Sequence, residues 1–382
     1  MDRRSFLKWT GVGSLAMLTP TVAMAGRGAA MDRTVLLVEL KGGNDGLNTL
    51  VPFADGAYYA ARPNLAIGRD KVLRLSKEVG LAPALKPLMK AWGSGELAVL
   101  QGVGYPNPNR SHFRSIEIWE TGSSSREVLS DGWLSRLLDK RVPESHAAAG
   151  VILGDTHAGP LSGEARALVM QNPQGFIKAA RRLESSGSRR SKNAALDHVL
   201  AVERDVIKGA DILEQRLSRV GRLKGFPRGK FGTQLQTAAR LILGGVPTAA
   251  IKVSLGGFDT HANQAGPHQR LMAELGKGLA ALRQALVAAG RWDDVLVLTY
   301  SEFGRRVSEN GSGGTDHGTA APHFALGGRV EGGLYGEQPS LTDLRGGDLR
   351  HSLDYRRIYA TLTRDWWGIE GGTRFKSLGF LR

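Results

Sequence analysis

Residues 34–40 read Thr-Val-Leu-Leu-Val-Glu-Leu and run directly into the turn-forming segment Lys-Gly-Gly-Asn-Asp-Gly at 41–46. Residues 97–103, 249–255 and 294–300 have the same character, with short apolar runs that end in glycine and polar residues. Nearly continuous apolar runs of this length are typical of strands buried on both faces of a parallel sheet. The four segments therefore predict strands of one central sheet.

Helical patterns lie between these strands. A stripe at helical spacing, formed by Leu271, Leu275, Leu279, Leu282 and Leu286, predicts a helix that packs on the sheet. Further helices are predicted from Ala194 to about Arg222, from Gly232 to Leu243 and after Asp354. Alternation of strands and helices predicts an α/β fold, with a doubly wound, mostly parallel sheet and helices on both faces.

The first 25 residues have the pattern of an export signal. The pair Arg3-Arg4 precedes an apolar run that begins at Trp9 and ends in Ala23-Met24-Ala25. This predicts a twin-arginine signal peptide that engages the twin-arginine translocase and is cleaved near Ala25. No other segment approaches the roughly 20 apolar residues of a membrane span. We therefore expect residues 26–382 to form a single α/β domain without a stable membrane anchor, in the periplasm or outside the cell.

The composition of the chain limits the side chains and the partners that its chemistry can use. The chain has no cysteine, which excludes disulfides, thiolate nucleophiles and thiolate metal ligands. Its formal net charge of +15 would ordinarily raise nucleic acid as a partner. The predicted export and the absence of a recognised nucleic-acid module argue against that partner. An anionic small-molecule or cell-envelope substrate remains open.

Polar residues follow the predicted strands. In an open α/β sheet, ligands bind beyond the carboxyl ends of the strands. Five candidate residues lie after four of the strands, and a sixth lies in the glycine-rich segment 313–319: Asp45, Ser111, Asp259, His261, Glu302 and His317. Carboxylates and neutral imidazoles are ligands for zinc, and sets richer in oxygen favour manganese, magnesium or calcium. The pattern predicts a site for one or two of these divalent ions.

Several of these residues also have a plain structural interpretation. Asp45 suits a turn, Ser111 suits a helix N-cap, and a buried Glu302 needs a partner such as Arg305. His157 follows a segment that also suits a hairpin with residues 165–170. Pro322-His323 is assigned to the same glycine-rich loop as His317. Four further histidines are interpreted as surface or structural residues: His146, His198, His268 and His351.

Five short motifs carry a resemblance to a known family. They occur in order at residues 42–46, 109–113, 256–261, 301–305 and 314–318. Together they resemble the domain-of-unknown-function 1501 family of secreted bacterial proteins, whose fold resembles the alkaline phosphatase superfamily. The match runs across nearly all of the chain that follows the signal segment. The resemblance implies a single alkaline phosphatase-like domain over residues 26–382.

The resemblance also implies individual roles. Asp45 is similar to a metal-binding acid after the first strand, and Ser111 to a hydroxyl nucleophile. The first metal would be held by Asp259, His261 and His317, and the second by Glu302. Phe303 stands where the superfamily usually has an imidazole ligand, with His323, His112 or Asp316 as alternatives. The motif of a formylglycine sulfatase includes a proline after this position, and His112, Phe113 and Arg114 follow Ser111 instead, which argues against that class of enzyme.

Two classes of function follow as expectations. The first is a metal-dependent hydrolase or transferase of phosphate or sulfate esters, with Ser111 as nucleophile and Arg110, Arg114 or Arg305 holding anionic oxygens. The second is an exported binding or assembly protein that retains the fold without catalysis. The retained acids and Ser111 favour the first class, and Phe303 favours the second.

Overall fold

The structure is a computed structural model that describes residues 32–183 and 191–382. The predicted signal peptide at residues 1–25 lies outside the described residues. Among the described helices, none has the length and apolar composition needed to span a membrane.

The described residues contain fourteen strands. They are β1 (Thr34–Lys41), β2 (Leu50–Val51), β3 (Leu73–Arg74), β4 (Gly80–Leu81), β5 (Leu97–Gly104), β6 (Gly150–Leu153), β7 (Ala167–Met170), β8 (Ala250–Gly256), β9 (Val295–Tyr300), β10 (Ala321–Leu326), β11 (Gly333–Tyr335), β12 (Leu344–Arg345), β13 (Asp348–Leu349) and β14 (Leu353–Asp354).

The α-helices in the same ranges are α1 (Gly56–Ala61), α2 (Met89–Gly93), α3 (His112–Thr121), α4 (Trp133–Leu138), α5 (Pro173–Ala180), α6 (Ala194–Leu217), α7 (Lys230–Leu243), α8 (Ala265–Ala288) and α9 (Arg356–Thr361). Short 3₁₀ turns cover Gly46–Asn48, Pro83–Leu88, Gly159–Leu161 and Trp292–Asp294, and a π turn at Leu362–Trp366 follows α9.

Nine strands form the central sheet. Its order is β11-β5-β10-β9-β1-β8-β6-β7, and β14 also pairs with β5. β1 lies between β8 and β9 and is parallel to both, and β6 and β7 continue the parallel side. β10 is antiparallel to both β5 and β9. The predicted mostly parallel sheet is confirmed.

The two faces of the sheet contact two separate cores, because side chains along a strand alternate between its faces. Leu36 and Val38 of β1 join a core with α7 and α8, whereas Val35 and Leu37 join a second core with α3 and α9. Seven of the eight β1 residues are buried, which explains why its sequence is almost uniformly apolar. Helices therefore cover both faces, as the sequence predicted.

Three expectations about local structure are wrong. α6 ends at Leu217 and not near Arg222. β6 and β7 are parallel and joined by a crossover, so residues 165–170 do not form a hairpin with the strand before His157. His323 lies inside β10, opposite Leu100 of β5, and is buried; it does not belong to the glycine-rich loop.

Candidate metal centre

Asp259 lies at the centre of a cluster beyond the carboxyl end of β8. Its Oδ1 is 2.9 Å from Nε2 of His261 and 3.2 Å from Nε2 of His317. Its Oδ2 is 3.4 Å from Nε2 of His112, which begins α3. The chain thus brings together one carboxylate and three imidazoles from three segments that are far apart in sequence.

Each imidazole presents its other ring nitrogen to an oxygen acceptor. Nδ1 of His317 lies 2.8 Å from the backbone carbonyl oxygen of Arg110, and Nδ1 of His261 lies 3.4 Å from Oδ1 of Asp316. In the tautomer with the proton on Nδ1, each ring donates to these oxygens and has its lone pair on Nε2. In their neutral forms, both rings therefore offer lone pairs on the side that faces Asp259.

These lone pairs converge. The two Nε2 atoms of His261 and His317 are 3.0 Å apart, and both are within 3.2 Å of the Asp259 carboxylate oxygen. Three electron-rich atoms at such distances repel one another unless a proton or a metal ion lies between them. Ligand atoms around a four-coordinate zinc ion, with bonds of about 2.0–2.1 Å, are roughly 3.3 Å apart. The donor set and its spacing fit a divalent metal ion.

His112 extends this set. Its Nδ1 is 2.8 Å from Oε1 of Glu302, and this hydrogen bond raises the pKa of His112 despite partial burial, which acts in the opposite direction. One ligand atom each from His112, Asp259 and His317 lie within 4.8 Å of one another. Phe303, which stands where the resemblance implied an imidazole, packs on the rings of His112 and His317 at centroid distances of 4.9 and 4.6 Å. A phenyl ring therefore supports two imidazoles there, and His112 supplies an additional one.

Glu302 acts as an outer partner in this geometry. Only 4% of its side chain is exposed, and Oε1 also accepts a hydrogen bond from the Gly42 amide at 2.9 Å. Its other oxygen accepts from the hydroxyl of Ser301. The sequence predicted Glu302 as a ligand of a second metal or a partner of Arg305. The structure instead pairs it with His112.

Arg305 holds the loops of the centre together. Its fully buried guanidinium lies 2.7 Å from Oδ1 of Asp259 and donates to the backbone carbonyls of Gly42, Gly43, Phe258 and Thr315. Burial alone raises the pKa of Asp259, but the hydrogen bond and charge of Arg305 outweigh it, and the pKa is lowered to about 2. Asp259 is therefore an anion throughout the physiological pH range.

Glycines allow the close approach of these loops. Gly42 has a φ of +117°, and a Cβ atom there would lie 2.6 Å from the backbone nitrogen of Asp259. At Gly314 a Cβ atom would lie 2.3 Å from the carbonyl carbon of His261. Side chains at either position would separate the segments that form the cluster.

Asp45 follows β1 at the same edge of the sheet, but its contacts lie elsewhere. Its side chain is 1% exposed and its Oδ2 lies 2.7 Å from the Arg62 guanidinium. Gln264 donates to the same oxygen. Burial alone raises the pKa of Asp45, but the charge and hydrogen bond of Arg62 outweigh it, so that the pKa is lowered. Among the described contacts of Asp45, none reaches the Asp259 cluster.

Ser111 is the N-cap residue of α3, as the structural interpretation of the sequence allowed. It is exposed, and its side chain makes no capping hydrogen bond. Its neighbours on both sides belong to the centre, because the Arg110 carbonyl contacts His317 and the His112 ring contacts Asp259. Ser111 thus lies next to the cluster with a hydroxyl that is not engaged in capping.

The remaining imidazoles are separate from the centre. His268 is buried and lies 3.0 Å from the side-chain oxygen of Asn44, and burial lowers its pKa to about 4. His323 is buried against Trp119, with a centroid distance of 5.2 Å. The side chain of His157 is 86% exposed. The alternative ligands Asp316 and His112 approach the cluster, whereas His323 does not.

A second charged network was not predicted from the sequence. Nζ of Lys252, in the middle of β8, lies 2.9 Å from Glu39 and 3.2 Å from Glu120, and only 2% of the lysine side chain is exposed. Burial alone lowers the pKa of Lys252, but these carboxylates outweigh it and raise the pKa above its usual value. A lysine inside an otherwise apolar strand was the signal that could have revealed this network.

The fold and the cluster define a class of protein: a mostly parallel α/β domain with a histidine–carboxylate centre at the carboxyl edge of its sheet. The profile of the family described as "Protein of unknown function (DUF1501)" matches residues 67–369. The chain belongs to this family, as its motifs predicted. A comparison with curated proteins finds no match.

Solved structures with overall similarity include three enzymes. Alkaline phosphatase from the Antarctic bacterium TAB5 is 14% identical, with 80% of this chain and 94% of that chain covered and a TM-score of 0.37. The lipoteichoic acid synthase LtaP from Listeria monocytogenes is 12% identical, with coverage of 91% and 75% and a TM-score of 0.41. The PsFucS1 sulfatase from Pseudoalteromonas sp. is 13% identical, with coverage of 92% and 72% and a TM-score of 0.41. At these scores, we transfer no residue role from them to this chain.

Proposed function

We propose that this protein is an exported, metal-dependent hydrolase or transferase of phosphate or sulfate esters. The observation that carries the proposal is the convergence of Asp259 Oδ1 with Nε2 of His261 and His317, all within 3.2 Å of one another. His112 is a further ligand candidate at the same carboxylate. Glu302, Asp316 and the Arg110 carbonyl orient the three rings.

A divalent ion bound by these residues would supply Lewis-acid stabilisation of the charge that develops on a transferred ester group. The chain's own groups provide the rest of the chemistry. Arg305 holds Asp259 in position and keeps it ionised. The hydroxyl of Ser111 makes no capping hydrogen bond and lies at the N-terminus of α3, where the helix dipole favours negative charge. Its Oγ is our proposed nucleophile: it gives its proton to water and forms a bond to phosphorus or sulfur as the bond to the leaving alcohol breaks, and the leaving oxygen takes a proton from water. Attack of water or of an acceptor alcohol on this serine ester then releases the group and restores Ser111.

The test compares esterase activity with metal content. Purified protein loaded with Zn²⁺ or Mn²⁺ is assayed against a panel of aryl phosphate monoesters, phosphodiesters and sulfate esters. We expect Ser111→Ala to abolish turnover and retain bound metal, and His317→Ala to lose metal. Ser130→Ala, at another exposed serine, is the matched control. Turnover that survives in Ser111→Ala would exclude Ser111 as the nucleophile, and a wild type inactive on the whole panel would contradict the proposed activity.

Export is a separate part of the proposal. The Arg3-Arg4 pair is proposed to direct the chain to the twin-arginine translocase, with cleavage near Ala25. Replacing both arginines with lysine is expected to leave the uncleaved precursor in the cytoplasm. Normal accumulation of the double variant in the periplasm would contradict this route.

Two observations support the alternative of an exported binding or assembly protein without catalysis. Asp45 is sealed in an ion pair with Arg62, and Glu302 pairs with His112. Each acid is thus already paired with a residue of this chain, although Oδ1 of Asp45 has no hydrogen-bond partner among the described residues. Tight metal binding without turnover of any ester would favour the alternative.

A further inference from the structure

A cavity of about 560 Å³ adjoins the candidate metal centre. The two share a wall, because Ser301 and Phe303 line the cavity while Phe303 also packs on His317. Arg110 belongs to both, since its side chain lines the cavity and its carbonyl contacts Nδ1 of His317. We call this space the basic cavity. Its volume is in the range of pockets that hold organic ligands.

Positive charge dominates its lining. Three arginines and one carboxylate face it: Arg110, Arg345, Arg350 and Asp348. The carboxylate is partly neutralised by Arg110 at 3.2 Å and by Arg306 at 3.7 Å. The guanidinium of Arg345 has no ion pair or hydrogen bond among the described residues, and Arg350 pairs only with the exposed Asp343. Guanidinium groups without strong internal partners are suited to bind tetrahedral oxyanions in a bidentate manner.

The inner end of the basic cavity also has an unsatisfied polar group. His323 lines it and is 1% exposed, and among the described residues its Nδ1 has no hydrogen-bond partner. A buried polar atom without a partner is costly, and a ligand that supplies one would recover that cost. Trp119 and Tyr105 provide aromatic surface beside it.

A second cavity, of about 540 Å³, opens on the centre itself, because His112, Asp259 and Glu302 line it together with Lys252. Five carboxylates and two lysines line it: Glu39, Glu120, Asp155, Asp259, Glu302, Lys41 and Lys252. A divalent ion at Asp259 would offset part of this excess of carboxylates, so an anionic group depends on the ion there, whereas the basic cavity attracts it without one. The difference in charge gives a direction to any anionic substrate that reaches the metal centre.

We infer that the basic cavity is an oxyanion subsite for a phosphate or sulfate group other than the one that reacts at the metal centre. The inference rests on the proposed function and specifies its substrate class: an ester that carries at least two tetrahedral oxyanions. Arg345 and Arg350 bind the second oxyanion, and the reacting ester lies across the wall formed by Ser301 and Phe303.

The first experiment measures binding without turnover. Inorganic phosphate and inorganic sulfate are titrated into the metal-free protein at low ionic strength by calorimetry. We expect Arg345→Gln/Arg350→Gln to weaken binding at least tenfold, and Asp259→Asn to leave it within about twofold. Arg222→Gln, at an exposed arginine outside the cavity, is the matched control. Binding that is unchanged in the double variant, or lost in Asp259→Asn, would overturn the subsite.

The second experiment uses the metal-loaded protein and pairs of aryl phosphate esters with and without a second phosphate group. The double arginine variant is expected to raise KM at least tenfold for the doubly charged ester, with little change in KM for the singly charged one. Equal changes for both esters would overturn the inference. If no ester is turned over by the wild type, the proposed function fails, while the phosphate titration still decides whether the oxyanion site exists.

Discussion

Asp45 and Asp259 follow neighbouring parallel strands, and each lies 2.7 Å from a fully buried guanidinium, yet their environments differ. The Asp45 side chain is 1% exposed and that of Asp259 is 48% exposed. Asp45 meets Arg62 inside the protein, whereas Oδ1 of Asp259 meets Arg305, His261 and His317, and its Oδ2 meets His112. The same strand-end position therefore gives a structural ion pair in one case and a candidate ligand in the other. What distinguishes them is that imidazoles surround the Asp259 carboxylate, whereas Oδ1 of Asp45 has no hydrogen-bond partner among the described residues.

The largest expected effect is on stability, at the buried ion pair of Asp45 and Arg62. Arg62→Met leaves a buried Asp45 without its counter-charge, which should lower the free energy of unfolding by about 3–5 kcal/mol. Urea denaturation measures it, and Arg69→Met, at an exposed arginine, is the control. The double variant Asp45→Asn/Arg62→Met should recover part of the loss. A change below about 1 kcal/mol in Arg62→Met would show that Asp45 does not depend on this pair.

At the half-exposed Asp259, which pairs with Arg305, the main effect should be on metal binding. Asp259→Asn removes the charge shared by three imidazoles, so we expect Zn²⁺ affinity to fall at least 100-fold, beyond the roughly 10–100-fold typical of an outer partner. Stability of the metal-free protein should change by about 1 kcal/mol or less, because the side chain is half exposed. Calorimetric titration with Zn²⁺ measures the first effect, with Asp211→Asn as control. If Asp259→Asn binds zinc as tightly as the wild type does, Asp259 is not a metal ligand.

A smaller effect on metal binding is expected at Glu302, which contacts the candidate ligand His112. Glu302→Gln weakens the acceptor that orients His112, and should reduce Zn²⁺ affinity about 10–100-fold. Glu117→Gln, on the same helix as His112, is the matched control. A loss as large as that of Asp259→Asn would identify Glu302 as a direct ligand, as the sequence first suggested.

The pH dependence sharpens the comparison further. The lowered pKa of Asp45 means that its ion pair contributes stability above its ordinary pKa and loses it as the pH falls through the folded value. In Arg62→Met, burial is no longer opposed by the charge and hydrogen bond of Arg62, so the pKa of Asp45 rises and this variant regains stability as the carboxylate becomes protonated. The difference between wild type and variant should shrink by up to about 1.4 kcal/mol per pH unit between the raised pKa and about pH 4. Denaturation series from pH 7 to 4 measure it, and a difference independent of pH would contradict it.

The sequence predicted the central sheet because its signal is local. The apolar run at 34–40 and the leucine stripe from 271 to 286 each reflect burial of one element, and both correspond to observed elements. The placement of His323 failed because strand β10 contains Pro322 and a histidine and lacks a continuous apolar run. Its burial depends on pairing with β5, which local sequence does not express.

The candidate site was predictable only in part for a related reason. Asp259, His261 and His317 lie in motifs that turn at strand ends or in a glycine-rich loop, so their proximity follows from a sheet with one carboxyl edge. The partners of Asp45 and Glu302 depend on Arg62 and His112, which come from other segments. Spacing in the sequence does not indicate which of two acids a distant arginine reaches.

The position of β1 between β8 and β9 has a consequence for folding. Val35 pairs with Ala250 on one side and Leu296 on the other, so both neighbours are more than 200 residues further along the chain. Closing loops of this length is entropically unfavourable, and a topology rich in such distant contacts folds slowly. Until β8 and β9 have been synthesised, the largely apolar strand β1 exposes both of its hydrogen-bonding edges. Truncated chains that end before residue 250 should therefore aggregate through β1, because an unpaired apolar strand is a template for intermolecular pairing.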